Sequence, residues 1–167
     1  MENVTLDKPL VAKPLYASFW LRLVALIIDY IIIYIVHIFV VLPILSMFGI
    51  VNLVAPTDLN EENSIAFLYD MAAPLLIAST FTLFISWFYY ASFESGSRQA
   101  TPGKLTVGLI VTDLEGGRIT FLQATARFFS KIISSLIFYI GYLIAAFTAK
   151  NQALHDIIAG TLVLAKK

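Results

Sequence analysis

Apolar residues run almost unbroken through three stretches of the chain, and the intervals between them are polar and rich in turn formers. The first stretch, about 18–42, reads "SFWLRLVALIIDYIIIYIVHIFVVL" and stops before Pro43. About 20 apolar residues cross the hydrocarbon core as a helix. In lipid a lone segment satisfies its backbone only as a helix, so the β-branched residues here do not argue for a strand. The second stretch, about 65–90, contains Pro74 and ends in Tyr89 and Tyr90, which read as interfacial aromatics. The third apolar run, "IISSLIFYIGYLIAAFTA" at 132–149, is divided by Gly141 and reads as one tight crossing or as a hairpin that doubles back. With its lead-in it makes a third helix at about 127–149.

The polar intervals predict smaller elements. Residues 43–64 form a loop with acids and no base. In the interval 91–126, "KLTVGLIVTDLEGGRIT" predicts a hairpin of strands at about 104–112 and 117–121 around the turn "DLEGG". "FLQATARFFSK" is amphipathic and basic, which suits a helix lying at the interface. In the C-terminal segment 150–165, "NQALHDIIAG" predicts a short helix with Gly160 at its C′ position. "TLVLA" then offers a strand that can join the earlier ones. The expected fold is an all-α membrane protein with three helices across the bilayer, or four if the third stretch doubles back. A small cytoplasmic β-hairpin and an interfacial amphipathic helix complete it. Residues 1–17 form an N-terminal segment ahead of one membrane domain, 18–167; the mixed polar start and the long apolar run suit a retained anchor rather than a cleaved leader.

Composition supports lipid contact. Of 167 residues 59% are hydrophobic, against about 45–50% in a soluble domain, and mean hydropathy is +0.86. The net charge is zero, which argues against nucleic acid as a partner. Cysteine is absent, which removes disulfides, zinc–thiolate sites and a Cys nucleophile. Charge is unevenly placed. No Lys or Arg lies between Leu23 and Ser97, while Lys8 and Lys13 precede the first stretch and Arg98, Lys104, Arg118, Arg127 and Lys131 follow the second. The positive-inside rule then puts the N-terminus and the basic middle in the cytoplasm of a multi-pass cell-membrane protein, with the acidic loop outside. The tail, with Lys150, Lys166 and Lys167, is assigned to the cytoplasm too, where "TLVLA" could pair with "GLIVT".

Candidate chemistry begins with the charges in the first helix. Arg22 and Asp29 are seven residues apart, hence on nearly the same helical face. Arg22 is near enough to the start to extend its guanidinium to the headgroups. Asp29 lies roughly 16 Å from the start of the stretch, near mid-bilayer, where an Asp costs about 2.5–3.5 kcal/mol to insert. It therefore needs a partner. Arg22 is the first candidate; a residue of another segment or a bound ion is the second. His37 lies about 80° round the helix from Asp29 and reads either as a proton-handling group or as an interfacial histidine bonded to a neighbour. Ser79, Thr82 and Ser86 share one face of the second helix, which suits close helix packing or a polar path. "ATPGKLT" fails as a phosphate loop because Leu105 follows Lys104 and the leading glycine is missing. "DLEGG" lacks a calcium ligand ladder. The "HD" pair at 155–156 is too little for a metal hydrolase. No enzyme and no cofactor is expected.

Together these features resemble the RDD family of bacterial membrane proteins. The resemblance rests on Arg22 and Asp29 in the first helix, on "RQATPGKLTVGLIVTD" with Gln99, Thr101, Pro102, Gly103 and Lys104, and on "QALHDIIAGTLV" with His155, Asp156, Gly160 and Thr161. It covers about 15–165. It implies transport, with monovalent cation–proton exchange as one suspected form, and supplies no substrate. It also sets Asp156 beside Arg22 as a pairing to test: Arg22 bridging Asp29 and Asp156, since a guanidinium can serve two carboxylates. The expected function is a small transporter of ions or small solutes, with Asp29, His37, Ser79, Thr82 and Ser86 as the candidate path. A non-transporting membrane scaffold is the alternative. Expected partners are the lipid bilayer, further copies of the chain, and a monovalent cation or a proton.

Overall fold

The structure, a computed structural model, describes residues 15–50, 60–136 and 140–166. Lys8 and Lys13, the middle of the acidic loop and Lys167 lie outside the described residues. Ser18 starts the first helix: its hydroxyl accepts the Leu21 N–H at 3.4 Å from an extended backbone, as an N-cap does. Helix α1, Phe19–Val36, continues through one π-helical turn, His37–Val41, into α2, Leu42–Met47. Pro43 accounts for the turn. A proline lacks the N–H and presses on the carbonyl four residues back, and a wider turn ahead of it relieves that contact. The first span therefore runs on to Met47 instead of ending at residue 42.

Helix α3, Glu61–Ser95, contains Pro74 and passes beyond residue 90. This extension carries Glu94 into the interior, and Tyr90 is buried with it. Both tyrosines face inward: Tyr89 bonds to Asp29 of α1 and Tyr90 packs on Phe128. Helix α4, Pro102–Thr106, opens with Thr101 as N-cap and Pro102 in its first turn. It is followed by β1, Leu109–Asp113, then α5, Phe121–Leu136. Helix α6, Ile140–Leu143, leads through a 3₁₀ turn, Ile144–Ala146, to α7, Leu154–Ile158, and β2, Thr161–Ala165. Gly160 takes the left-handed backbone just after α7, at φ +62°.

The predicted hairpin is replaced by a longer-range pairing. Residues 102–106 are helical, no strand forms at 117–121, and β1 pairs antiparallel with β2, from Leu109 opposite Ala165 to Asp113 opposite Thr161. The other edge of β1 is already occupied. The Val111 N–H donates to the Gln99 carbonyl at 2.7 Å, and the Gln99 side-chain amide donates to the Val111 carbonyl at 3.2 Å. "DLEGG" does form a turn, closed by Asp113 Oδ1 accepting the Glu115 and Gly117 N–H groups. On the far side of β2 the chain entering α1 adds a short bridge: the Ala17 N–H donates to Val163 O at 2.9 Å and the Ala165 N–H to Leu15 O at 2.8 Å. The start of α1, the segment after α3 and the tail therefore sit together at one end of the molecule. Leu109, Val111 and Val163 pack there against Ala25 and Ala91, whose small side chains let the helices approach the sheet.

The "FLQATARFFSK" stretch is helical, as expected, and forms the first part of a longer helix, α5. α6 then folds back toward it. A Cβ on Gly141 would lie 2.6 Å from Ser134 Cβ, so only glycine permits this contact. Two helices among the described residues, Phe19–Met47 and Ser64–Ser95, are long and apolar enough to cross a membrane. A third is counted if Phe121–Ser135 and Ile140–Ala146, bent by 116°, are taken as one span. The outward faces of α1 and α3 expose Trp20, Tyr69, Leu76 and Phe84, a surface suited to acyl chains.

Leu109 is fully buried at the sheet end, whereas Leu114 in the turn is exposed. Leu109→Ala is expected to destabilise the protein by about 2–5 kcal/mol, seen as a lower thermal midpoint in detergent. Leu114→Ala should leave that midpoint nearly unchanged.

Candidate functional site

Asp29 is buried on α1, and three donors meet its carboxylate. The Tyr89 hydroxyl donates to Oδ1 at 2.8 Å, the Gly103 N–H to Oδ1 at 2.8 Å and the Thr101 hydroxyl to Oδ2 at 2.6 Å. None is charged, and Arg22 is not among them. Sequence order explains the shell. Thr101 caps α4, Pro102 needs no N–H partner in the first turn, and the next free N–H is that of Gly103, aimed at Asp29. A Cβ on residue 103 would come 2.7 Å from Asp29 Oδ1 and overlap the Ala25 carbonyl. The α4 turn can seat on α1 only with glycine at that position.

The second carboxylate is Asp156, in the first turn of α7 and fully buried. Its Oδ2 accepts the Ala153 N–H at 3.1 Å and pairs with Arg22 Nη1. Its Oδ1 forms an ion pair with Arg127 Nη2 at 2.6 Å and lies 3.5 Å from His155 Nε2. Arg22 thus joins Asp156 but not Asp29, and the bridge expected between the two acids is half present. The reason is reach: the α4 turn already covers Asp29, while α7 brings Asp156 to the level of Arg22.

The third carboxylate is Glu94. Lys104 Nζ lies 2.5 Å from its Oε1, Arg127 Nη1 3.2 Å from its Oε2, and Lys131 Nζ 3.6 Å from its Oε1. Arg127 therefore links Glu94 of α3 to Asp156 of α7. It is only 2% exposed. Breaking one partner of a buried pair of this kind typically costs about 3–5 kcal/mol, because the other charge is left uncompensated.

The other predicted residues fall into separate places. Gln99 clamps β1. Thr161 is buried, and its hydroxyl lies 3.4 Å from the Asp156 carbonyl, which it meets as donor. His37 is not joined to Asp29. Its Nδ1 lies 2.6 Å from the Thr82 hydroxyl, which itself donates to the Ala78 carbonyl at 2.8 Å. His37, Ser79, Thr82 and Ser86 line a cavity of about 570 Å³. A second cavity, of about 460 Å³, is lined by Arg22, Asp29, Lys104, Arg127, Lys131 and His155 among others. No group of three or more His, Cys, Asp or Glu suited to a metal ion occurs among the described residues.

Electrostatics at α7 follow from burial. Burial pushes the His155 imidazole down to about 3; attraction to Asp156 opposes this, and Arg127 and Lys131 add to it. Burial would raise the Asp156 carboxyl, but the Arg127 guanidinium, with His155 and Arg22, holds it well below its ordinary range. His155 is therefore neutral in the folded protein at neutral pH.

The RDD family model matches residues 16–160. The chain belongs to the RDD family. It is 35% identical over 150 residues to "Uncharacterized protein YxaI" of Bacillus subtilis (strain 168), covering 90% of this chain and 97% of that one. It is 27% identical over 158 residues to "Uncharacterized membrane protein YteJ" of the same strain, covering 91% and 82% respectively. No solved structure matches. In this RDD protein Arg22 and Asp156 form one pair, and Asp29 stands apart in a shell of neutral donors. Glu94, Arg127 and Lys131 complete the site without having been singled out in sequence. The signals were faint: Glu94 is the lone acid between Asp70 and Asp113, and Arg127 and Lys131 are one helical turn apart on a face of small and polar residues, Gln123, Ala124, Ser130 and Ser134.

Gly103→Ala should weaken folding by about 1–3 kcal/mol or more through overpacking, read as a lower thermal midpoint in detergent; an unchanged midpoint would mean that α4 does not seat on Asp29. The pH dependence has a definite sign. Unfolded His155 binds a proton below its ordinary value of 6.5, while the folded form resists until about 3. Stability should therefore fall by up to about 1.4 kcal/mol per pH unit as pH drops through this window. Asp156 has a depressed folded value, so its contribution persists above its ordinary value of 3.8 and is lost only below it. His155→Gln should flatten the dependence of the melting midpoint between about pH 6.5 and about pH 4.

Proposed function

We propose that this RDD membrane protein is a small transporter of ions or small solutes. The observation that supports the reading is that its two cavities adjoin. Leu26, Tyr30, Tyr90, Lys131 and Tyr142 line both. One cavity reaches the charged end with Arg22 and His155; the other reaches His37, Ser79, Thr82 and Ser86. Polar side chains are costly in a membrane span and are retained where they face a bundle interior or a path. In this reading the His37–Thr82 pair handles a proton, and Asp29, whose oxygens are occupied by donors, holds the path in shape rather than ligating a cation. Monovalent cation–proton exchange is the form to test first. The cell membrane is the proposed location, with the N-terminus on the cytoplasmic side; the start of α1, the segment after α3 and the tail share one end of the fold, and basic residues there suit that side. A homo-oligomer is part of the proposal, since so few spans enclose little space alone.

One observation favours the scaffold alternative: the Asp29 shell is closed and needs no ion. Reconstitution separates the two. Proteoliposomes holding a pH gradient should dissipate it on addition of Na⁺ or K⁺. Ser86→Phe, which fills the second cavity, should slow that flux about tenfold without lowering the melting midpoint. A rate equal to that of protein-free vesicles for small cations and small anions alike would remove transport and leave the scaffold.

A further inference from the structure

The charges around the 460 Å³ cavity do not balance. Arg22, Lys104, Arg127 and Lys131 are four cationic side chains, and the carboxylates that reach them are Asp156 and Glu94. Asp29 lines the same cavity, but its hydrogen bonds all come from neutral donors. Several donors are also unused. Arg22 Nε and Nη2, Arg127 Nε and the Tyr90 hydroxyl are buried and have no hydrogen-bond partner among the described residues. Tyr90 is only 5% exposed. Lys131 Nζ sits 3.9 Å from the centre of the Tyr90 ring, while its nearest carboxylate oxygen is 3.6 Å away, beyond good hydrogen-bond reach.

The geometry of Arg22 is informative. Its Nη1 is engaged by Asp156, which leaves the side-on edge formed by Nε–H and Nη2–H. That edge is the one with which a guanidinium grips two oxygens of one oxyanion. A buried donor without an acceptor is costly, and a cationic excess in a low-dielectric setting more so. An anion carrying several acceptor oxygens removes both costs together. The same cavity has apolar walls, including Phe19, Leu23 and Leu26, so an oxyanion with an attached apolar chain fits it as well as a free one. Two groups in the cavity point the other way: Asp29 is a carboxylate, and neutral His155 has an unpartnered Nδ1 that can serve as an acceptor.

We propose that this cavity is a binding site for a phosphate-type oxyanion, held by the free edge of Arg22, the Tyr90 hydroxyl and the Lys131 ammonium. The phosphate group belongs either to the headgroup of an anionic lipid or to a free phosphate, and the recognition chemistry is the same. The site does not depend on transport: a protein that moves nothing could still hold a phosphate here.

The test uses the full chain in a neutral detergent. Melting midpoints are measured with inorganic phosphate, with chloride at the same ionic strength, and after addition of phosphatidylglycerol or phosphatidylcholine. Protection by phosphatidylglycerol alone assigns the site to a lipid headgroup. Protection by inorganic phosphate, with or without the lipid, assigns it to a free oxyanion as well. Tyr90→Phe removes only a hydroxyl that has no hydrogen-bond partner among the described residues, so the variant should melt like the wild type without ligand and bind the protecting ligand about tenfold more weakly. Lys131→Gln should weaken binding further. If neither phosphate nor phosphatidylglycerol protects more than its control, or if both variants bind as the wild type does, the proposal is overturned. Because the readout is binding, loss of flux in liposomes would leave it standing.

Discussion

A carboxylate inside a membrane helix must be met by donors, and meeting Asp29 organises this fold. Its three donors come from α3 and from the turn that opens α4, so one side chain fixes both elements to α1. The low dielectric that makes an unpaired acid costly also strengthens each bond in the shell. The consequence passes along the chain. Once α4 is seated on α1, Lys104 enters the interior and meets Glu94 at the end of α3. Glu94 meets Arg127, Arg127 meets Asp156, and Asp156 meets Arg22 on α1 again. The ring of charges closes on the helix from which it started.

Asp156 shows how a short element can carry such a link. α7 is too brief to be stable by propensity alone. It is held because Asp156 both caps its own helix, through the Ala153 N–H, and pairs with two arginines from other helices. The β1–β2 pairing then draws the tail back past the start of α1. The sheet is small, but it is what places the first helix and the C-terminal motif at one level.

Much of this architecture is legible in the sequence where a residue violates its surroundings. Asp29 in an apolar run demands a partner, and the resemblance to the RDD family sets Asp156 beside Arg22. The partner of Asp29 is harder to read. Arg22 is the nearest opposite charge, yet the backbone N–H of Gly103 and two hydroxyls win, because turn geometry delivers them directly while Arg22 would have to bend two turns along its own helix. Glu94 is concealed by the tyrosines before it, which mimic the end of a span. Arg127 is concealed by its setting, since a base on an amphipathic helix usually faces water. The hairpin misleads for a related reason: two β-rich phrases flank a genuine turn, but Gln99 occupies the edge the second phrase would need.

The two acids of the first and last motifs are satisfied in opposite ways, and the difference has a physical consequence. Asp156 is matched by cations, so its charge is largely cancelled where it stands. Asp29 is matched by neutral dipoles, which stabilise its charge without cancelling it. It therefore projects a negative potential across the cavity that it lines with four cations. That field offsets part of the cationic excess at long range while leaving the donor atoms of Arg22 and Tyr90 free for contact at short range. Had Arg22 paired with Asp29 as its spacing suggests, the cavity would hold one fewer free guanidinium edge and one fewer uncancelled acid. Placing the neutral shell on one acid and the cationic shell on the other keeps the site polar at its floor and compatible with the apolar walls around it.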